Sequence, residues 1–199
     1  MIEVVLFDLG GVLVEFHGIA RLRELAGLAT DDDVRARWLA CEYVRAFERG
    51  ACSPEAFAAG VVADWELDLE AEEFLARFDT WLGPLPEPAG ALVREVRACV
   101  PVGCLSNTNQ RHWDTHLRAW PLFAELDHRF LSFELGLVKP DRELFDHVAD
   151  ALGVPPDRVL FLDDSAANVA AAGDAGFAAE HVTGLDDARR VLLASGVLS

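Results

Sequence analysis

The sequence predicts an α/β protein in which a parallel β-sheet is interrupted by an all-helical insertion. Short apolar, β-branched segments are bounded by glycine, proline and acidic residues, as expected for buried strands. From about residue 86 to the C-terminus these segments alternate with helical patterns, whereas residues 18–82 show helical periodicity alone. Alternating strands and helices form a parallel sheet covered on both faces, so the core is expected to be Rossmann-like.

The first strand is predicted over residues 3–8, and the insertion follows it. Within the insertion, Ser53 is predicted to cap a helix that has Pro54 at its first position. Another helix is predicted from about Leu69 to Trp81, and no strand is expected in this part of the chain.

Three prolines are expected to close the insertion, namely Pro84, Pro86 and Pro88. We therefore divide the chain into a discontinuous core, residues 1–14 and 86–199, and a helical cap, residues 15–85. The part after the prolines is predicted to hold nine elements. These are helix 88–99, strand 102–105, helix 109–119, strand 128–133, helix 141–152, strand 159–162, helix 166–175, strand 177–183 and helix 185–195.

The composition is that of a globular protein with a strongly acidic surface. The 199 residues are 52% hydrophobic and 26% charged, and the formal net charge is -17. Phosphate backbones and anionic lipids bind basic surfaces, so this charge argues against nucleic acid and membranes as partners. A small molecule remains possible, because its site can be locally positive. A monomer or homodimer is expected.

The chain shows no sign of a membrane span or a signal peptide. Its apolar runs are far shorter than the roughly 20 residues needed to cross a bilayer. The four cysteines, Cys41, Cys52, Cys99 and Cys104, form no CxxC pair, so neither a disulfide framework nor a zinc site is predicted. We expect a cytoplasmic protein with reduced thiols.

Polar residues follow the predicted strands, at the edge of the sheet where ligands bind in parallel α/β folds. They are Asp8 after the first strand, Ser106 and Asn107 after the second, Glu134 to Lys139 after the third, and Asp163 and Asp164 after the fourth. We expect these residues to surround one site.

Asp8 is a candidate nucleophile, since carboxylates attack phosphoryl groups to form aspartyl-phosphates. Gly10 and Gly11 would let backbone amides approach a phosphate closely. A simple turn aspartate is the alternative.

Asp163 and Asp164 are adjacent and repel each other unless a cation or hydrogen bonds compensate. Mg²⁺, which is held by one or two carboxylates with waters and a substrate phosphate, fits this pair. Asn168, one turn along the next helix, would hold a ligating water or orient a carboxylate. The alternative is an N-cap for that helix.

Ser106 and Asn107 are candidates for a phosphate cradle of hydroxyl, amide and helix N-terminal groups. Asn107 or Thr108 is also expected to cap the following helix. Lys139 is the only lysine among 17 basic residues. Its compact ammonium would neutralise a nucleophilic carboxylate and a phosphoryl oxygen together, and a solvated surface lysine is the alternative.

Other polar and aromatic features are expected to be structural. These are Glu15 and His17 in the linker, His112 and His116 on a helix surface, Trp38, Trp65 and Trp81 in the core of the cap, and Asp31–Asp33 at a helix start.

Four segments in this order resemble the four motifs of the haloacid dehalogenase superfamily. They are Phe7-Asp8-Leu9-Gly10-Gly11-Val12, Leu105-Ser106-Asn107, Gly136-Leu137-Val138-Lys139-Pro140 and Phe161-Leu162-Asp163-Asp164-Ser165-Ala166-Ala167-Asn168. The resemblance covers the whole chain, including a C1-type cap inserted after the first motif. It is closer to the bacterial sugar-phosphate phosphatases typified by α-D-glucose-1-phosphate phosphatase. The last motif also looks like that of the phosphatase domain of epoxide hydrolases.

The resemblance implies a Mg²⁺-dependent phosphatase of a small phosphate ester, with a sugar phosphate as one candidate substrate. By that resemblance Asp8 would be the nucleophile, and Ser106, Asn107 and Lys139 would bind the phosphoryl group with the help of Gly11. The metal would be held by Asp8, the carbonyl of Gly10 and Asp164, with Asp163 and Asn168 supporting it.

Position 10 departs from the pattern. Most phosphatases of the superfamily carry a second aspartate two residues after the nucleophile as general acid and base, and this chain has Gly10 there. General acid–base help contributes typically about 10²–10⁴-fold to a rate. Two alternatives therefore stay open: a 2-haloacid dehalogenase-type hydrolase without metal, and a phospho-ligand-binding protein without catalysis.

Overall fold

The computed structural model describes all 199 residues around one five-stranded parallel sheet. The strands are β1 (Val4–Phe7), β2 (Val102–Ser106), β3 (His128–Leu131), β4 (Val159–Asp163) and β5 (Ala178–His181). Their order is β3-β2-β1-β4-β5, with every neighbouring pair parallel. The central strand β1 therefore lies between β2 and β4, and the strand order reverses at this point, where α/β folds bind their ligands.

Helices cover both faces of the sheet and make up the insertion. The helices of the insertion are α1 (Gly18–Ala26), α2 (Asp31–Ala40), α3 (Glu42–Glu48), α4 (Pro54–Asp64) and α5 (Ala71–Phe78). The helices of the core are α6 (Glu87–Arg97), α7 (Gln110–Thr115), α8 (Leu122–Glu125), α9 (Ser132–Leu135), α10 (Arg142–Leu152), α11 (Ala166–Asp174) and α12 (Gly184–Ala194). None of these helices is both long and apolar enough to cross a bilayer.

The predicted fold class is confirmed, and the differences are local. The predicted helix 69–81 is shorter, at Ala71–Phe78, and the predicted helix 109–119 stops at Thr115 and continues as a 3₁₀ turn, Leu117–Ala119. The short helices α8 and α9 were not predicted. Although the insertion has no strand, its two ends are tied by an antiparallel bridge between Phe16 and Leu82.

The predicted cap of the insertion, Ser53, is correct, and the predicted cap of α7 is wrong. Ser53 Oγ accepts from the amide of Ala56, and Thr30 forms a capping box with Asp33 at the acidic start of α2. At α7 the cap is Asn109, whose side chain accepts from the amide of His112, rather than Asn107 or Thr108. The side chain of Asn107 is engaged elsewhere, as described below.

The insertion has its own apolar core, separate from the two clusters on the faces of the sheet. Trp65 and Trp81 are buried within it, as predicted, whereas Trp38 is only partly buried. A separate core is what an independently packed cap requires. The division of the chain at residues 14/15 and 85/86 stays a prediction.

Two sets of ion pairs join the cap to the core. Arg45 of α3 and Arg49, which follows α3, both donate to the carboxylate of Asp141, at 2.6 and 2.5 Å. On the other side Arg111 of α7 donates to both oxygens of Asp79 at the end of α5, at 2.5 and 2.6 Å. These contacts hold the cap over the carboxyl edge of the sheet.

The Asp141 cluster is expected to contribute to stability. Asp141→Ala leaves two arginines without their carboxylate and should lower the free energy of unfolding by about 1–3 kcal/mol. The matched control is Asp146→Ala on the same helix, which removes an exposed pair with Arg142 and should cost less than about 0.5 kcal/mol. Urea unfolding measures the free energy of unfolding of each variant. If Asp141→Ala loses no more of it than Asp146→Ala, the cluster makes no special contribution to stability.

Candidate active site

The carboxyl ends of β1, β2 and β4 meet at a cavity of about 140 Å³ beneath the cap. Most of the residues predicted for the site line this cavity, namely Asp8, Gly10, Ser106, Asn107, Lys139, Asp164 and Asn168. Gly11 and Asp163 do not line it but contact residues that do. The topology thus brings together side chains that lie up to 160 residues apart in the sequence, since parallel strands end at the same edge.

Lys139 is buried at the centre of this arrangement, with 1% of its surface exposed. Its Nζ lies 2.6 Å from Asp163 Oδ2 and 3.1 Å from Asp8 Oδ1, and it donates to the carbonyl of Leu105 at 3.0 Å. Burial by itself lowers the pKa of Lys139, but the charges of Asp163 and Asp8 outweigh it and raise that pKa. The alternative of a solvated surface lysine is wrong.

Asp163 is occupied by hydrogen-bond donors on both oxygens. Oδ1 accepts from the backbone amide of Ser165 at 2.8 Å and from Asn168 Nδ2 at 3.0 Å, and Oδ2 accepts from Lys139. Asp163 is fully buried, so its geometry suits holding Lys139 in place. The N-cap of α11 is Ser165, without a side-chain cap, so neither aspartate of the pair is the cap.

Asp8 is buried, and burial is the largest of the effects that raise its pKa, to about 7. The charges of Asp163 and Asp164 add to the increase, and Lys139 opposes it. Although Lys139 Nζ lies 3.1 Å from Asp8 Oδ1, the two are not aligned for a hydrogen bond, and this oxygen has no donor. The three carboxylates of Asp8, Asp163 and Asp164 thus face two cationic groups, Lys139 and Arg35.

The position of Asp164 is set by Gly11 and by the cap. Gly11 has a φ of +79°, and a Cβ at this position would lie 2.5 Å from Asp164 Cγ. Asp164 Oδ2 accepts from Arg35 Nη2 of α2 at 3.0 Å. Burial raises the pKa of Asp164, and Arg35 opposes that increase.

The residues at this edge fit a hard divalent cation. Carboxylate oxygens of Asp8, Asp163 and Asp164 lie within 4.8 Å of one another. Asp8 Oδ1 and Asn168 Oδ1 are both buried acceptors without a donor. A cation, or a water bound to that cation, would satisfy these two oxygens. Since Asp163 already accepts hydrogen bonds on both oxygens, Asp8 and Asp164 are the carboxylates best placed to bind the metal directly.

Asn107 links the core to the cap through its side chain. Its Oδ1 accepts from the amide of Lys139 at 2.9 Å, and its Nδ2 donates to the carbonyl of Lys139 at 3.1 Å and to Glu48 Oε2 at 3.0 Å. The side-chain donors of Asn107 are therefore used within the protein. The hydroxyl of Ser106 and the backbone amide of Asn107 make no hydrogen bond, so these are the free donors at the end of β2.

Eight residues of the cap line the cavity, and none of them was predicted as a site residue; those with polar side-chain groups are Arg35, Trp38 and Glu48. Trp38 was expected to be core only. The helical periodicity of the insertion predicts its buried face, but nothing in the local sequence indicates which polar residues reach the core domain. The positions of Arg35 and Glu48 follow from how the cap packs on the sheet.

Among the residues expected to be structural, the linker residues lie as predicted and His112 does not. Glu15 and His17 form an ion pair with each other and do not line the cavity, in agreement with linker residues. His112, expected on a surface, is buried instead, because its ring stacks on Phe78 at 4.2 Å and its Nε2 contacts the Phe78 carbonyl at 3.1 Å. Burial lowers the pKa of His112 to about 4.

The structure is thus a parallel α/β sheet with an acid-rich centre at its carboxyl edge and a helical cap over that centre. Comparison with known families gives the same answer, since residues 2–176 match the haloacid dehalogenase-like hydrolases. The chain belongs to this family and is a hydrolase. The α/β sheet with a helical insertion is the expected architecture.

Relatives in the family include phosphatases and dehalogenases. The chain is 28% identical over 190 residues to D-ribitol-5-phosphate phosphatase from Bacteroides thetaiotaomicron, covering 89% of this chain and 90% of that protein. It is 32% identical over 96 residues to (S)-2-haloacid dehalogenase 4A from Burkholderia cepacia, covering 48% and 42%. The crystal structure of a HAD family enzyme from Bacteroides thetaiotaomicron in complex with magnesium and inorganic phosphate shares the fold. Its TM-score is 0.68 at 24% identity, covering 91% of this chain and 94% of that one.

Substitution of Gly11 is expected to disturb the acid cluster. Gly11→Ala should lower the free energy of unfolding by about 1–3 kcal/mol more than Gly27→Ala, because its methyl group overlaps Asp164. Gly27 is the matched control, with a φ of +63° and nothing within 4 Å of an added Cβ. Both variants share the backbone strain, so denaturant unfolding isolates the overlap. Equal losses would show that Asp164 moves aside at no cost.

His112 is expected to make stability depend on pH. Its pKa is about 4 in the folded protein and about 6.5 in the unfolded chain, so below pH 6.5 the unfolded chain binds a proton that the folded protein does not. The stability advantage of wild type over His112→Gln should therefore shrink by about 2–3 kcal/mol between pH 7 and pH 4.5. The matched control is His147→Gln, which makes the same change at an exposed position. A constant advantage for wild type would contradict the prediction.

Proposed function

We propose that this hydrolase is a Mg²⁺-dependent phosphomonoesterase acting on a small phosphorylated metabolite. The observation that carries the proposal is the buried cluster in which Lys139 Nζ lies 2.6 Å from Asp163 Oδ2 and 3.1 Å from Asp8 Oδ1. Asp8 Oδ1 accepts no hydrogen bond in this cluster. A carboxylate held beside a fixed ammonium, with further acids for a cation, suits attack on a phosphoryl group. The relatives support it, since one is a phosphatase and a HAD family enzyme of the same fold binds magnesium and phosphate.

The proposed reaction proceeds through an intermediate on Asp8. Asp8 attacks the phosphorus, the bond to the alcohol breaks, and water then hydrolyses the aspartyl-phosphate. Lys139, the hydroxyl of Ser106 and the backbone amide of Asn107 hold the phosphoryl oxygens. Bound Mg²⁺, with Asp8, Asp164 and the carbonyl of Gly10 as its protein ligands, would supply positive charge to those oxygens.

Two further residues have supporting roles in this proposal. Asp163 positions Lys139, and Asn168 orients Asp163 through Nδ2, while its Oδ1 would accept from a water bound to the metal. Gly11 leaves room for Asp164. The cap, taken as residues 15–85, encloses the site and limits the entry of water.

The substrate is proposed to be a sugar phosphate or a similar polyol phosphate. The cavity of about 140 Å³ accepts a small ester rather than a polymer. The resemblance to α-D-glucose-1-phosphate phosphatase and the similarity to D-ribitol-5-phosphate phosphatase both favour this class.

A 2-haloacid dehalogenase reaction is the second candidate, favoured by the similarity to (S)-2-haloacid dehalogenase 4A. There the same aspartate would attack carbon without a metal. The group of carboxylates formed by Asp8, Asp163 and Asp164 favours the phosphatase, because a metal-free reaction has no need to gather acids around a cation.

Phosphate release from a panel of sugar and polyol phosphates tests the proposal. We expect turnover with Mg²⁺, loss of turnover with a chelator, and a loss of at least about 10³-fold in Asp8→Asn, because an amide is no nucleophile. The matched control is Asp157→Asn, which makes the same change at an exposed position. Release of halide from 2-haloacids in the presence of chelator would replace the phosphatase with the dehalogenase. Binding of phosphate esters without any turnover would indicate a non-catalytic protein.

A further inference from the structure

Glu48 is a carboxyl group that the cap places in the cavity. It is the last residue of α3 and lines the same cavity as Asp8 and Gly10. Its Oε2 accepts from Asn107 Nδ2 at 3.0 Å, and its Oε1 accepts from Trp38 Nε1 at 3.3 Å. Asn107 is the residue whose backbone amide the proposed function assigns to the phosphoryl group, so Glu48 is hydrogen-bonded to a residue of that site and lines the same cavity.

Glu48 has no ion-pair partner, although arginines flank it. Arg45 and Arg49 both bind Asp141, and no cation forms an ion pair with Glu48. Lys139 and Arg45 are the charged groups close enough to affect it, and the ammonium of Lys139 is itself held by Asp163 and Asp8. Burial outweighs these charges and the two N–H donors and raises the pKa of Glu48 to about 7. A carboxyl with such a pKa can both give and take a proton near neutral pH.

The site otherwise lacks a group for proton transfer. Gly10 stands where most related phosphatases have an aspartate. Besides Glu48, the carboxyl groups that line the cavity are Asp8, the proposed nucleophile, and Asp164, a proposed metal ligand. The imidazole of His112 is engaged by the carbonyl of Phe78 and by Asn109. Glu48 is the remaining acid.

We propose that Glu48 is the general acid and base of this enzyme, supplied by the cap in place of the aspartate missing at position 10. The inference rests on the proposed phosphatase function. When Asp8 attacks, the bond from phosphorus to the ester oxygen breaks, and the Glu48 carboxyl gives its proton to the leaving alkoxide, which departs as the alcohol. Glu48, now a carboxylate, takes a proton from the water that attacks the aspartyl-phosphate. The bond from phosphorus to Asp8 breaks, and phosphate, the Asp8 carboxylate and the Glu48 carboxyl result.

The dependence on the leaving group distinguishes this role from a structural one. An alkoxide such as that of ribitol 5-phosphate needs a proton to leave, whereas p-nitrophenolate does not. Glu48→Gln should therefore lower kcat/KM for ribitol 5-phosphate by about 10²–10⁴-fold and for p-nitrophenyl phosphate by less than about 10-fold. The value of kcat/KM reports the first chemical step, so the later attack of water does not enter it.

Matched variants separate the possible outcomes. Glu42→Gln, at an exposed position of the same helix, should leave both values unchanged, and Asp8→Asn should abolish both. Equal losses with the two esters in Glu48→Gln would assign Glu48 a positioning role and overturn the proposal. If Glu48→Gln has the kcat/KM of wild type for both esters, the role of Glu48 is overturned and the proposed phosphatase function is not. If wild type hydrolyses neither ester nor any other in the panel, the proposed function and this inference fail together.

A measurement on wild type keeps the proposal testable if Glu48→Gln does not fold. The quantity to measure is the ratio of kcat/KM for the alkyl ester to kcat/KM for the aryl ester. Ionisations that affect both reactions equally, such as those of Asp8 and the metal ligands, cancel from this ratio. This ratio should fall as the pH rises through about 7, because Glu48 loses the proton that only the alkyl ester needs. A ratio that does not change with pH would overturn the proposal.

Discussion

The ion pair between Lys139 and Asp163 is the interaction on which the site depends. An unpaired ammonium with 1% exposure would cost several kcal/mol, so the buried carboxylate 2.6 Å away is required for Lys139 to stay charged there. Asp163 in turn is held by Asn168 and by the amide of Ser165. This network fixes the ammonium beside Asp8 and leaves Asp8 Oδ1 available to a ligand.

The electrostatics of the site differ from those of the surface around it. The chain carries a net charge of -17, whereas the proposed substrate, a small anionic ester, has to approach it. Lys139 and Arg35 are the cationic groups at the cavity, and a bound divalent cation would add positive charge there. Three carboxylates lie against these two cationic side chains, and burial, together with the charges of Asp163 and Asp164, raises the pKa of Asp8.

The cap is part of the site rather than only a cover for it. Its aromatic core gives α2 and α3 fixed positions, and the arginine pairs with Asp141 and Asp79 hold α3 and the end of α5 against the core. As a result Arg35 reaches Asp164 and Glu48 reaches Asn107. The contacts of Arg35 and Glu48 with the core therefore also shape the candidate site.

The fold class and the group of residues at the strand ends could be predicted from the sequence alone. Strand periodicity and the polar residues that follow each strand suffice for this prediction, because parallel strands end at one edge of the sheet. The lone lysine and the four motifs indicate the same residues. Other features became known from the packing of the chain: Lys139 is buried, Asn109 caps α7, His112 lies inside, and Arg35 and Glu48 line the cavity. These facts depend on how the cap and the helices pack against the sheet, and contacts between residues far apart in the chain leave no local periodicity from which they could be read.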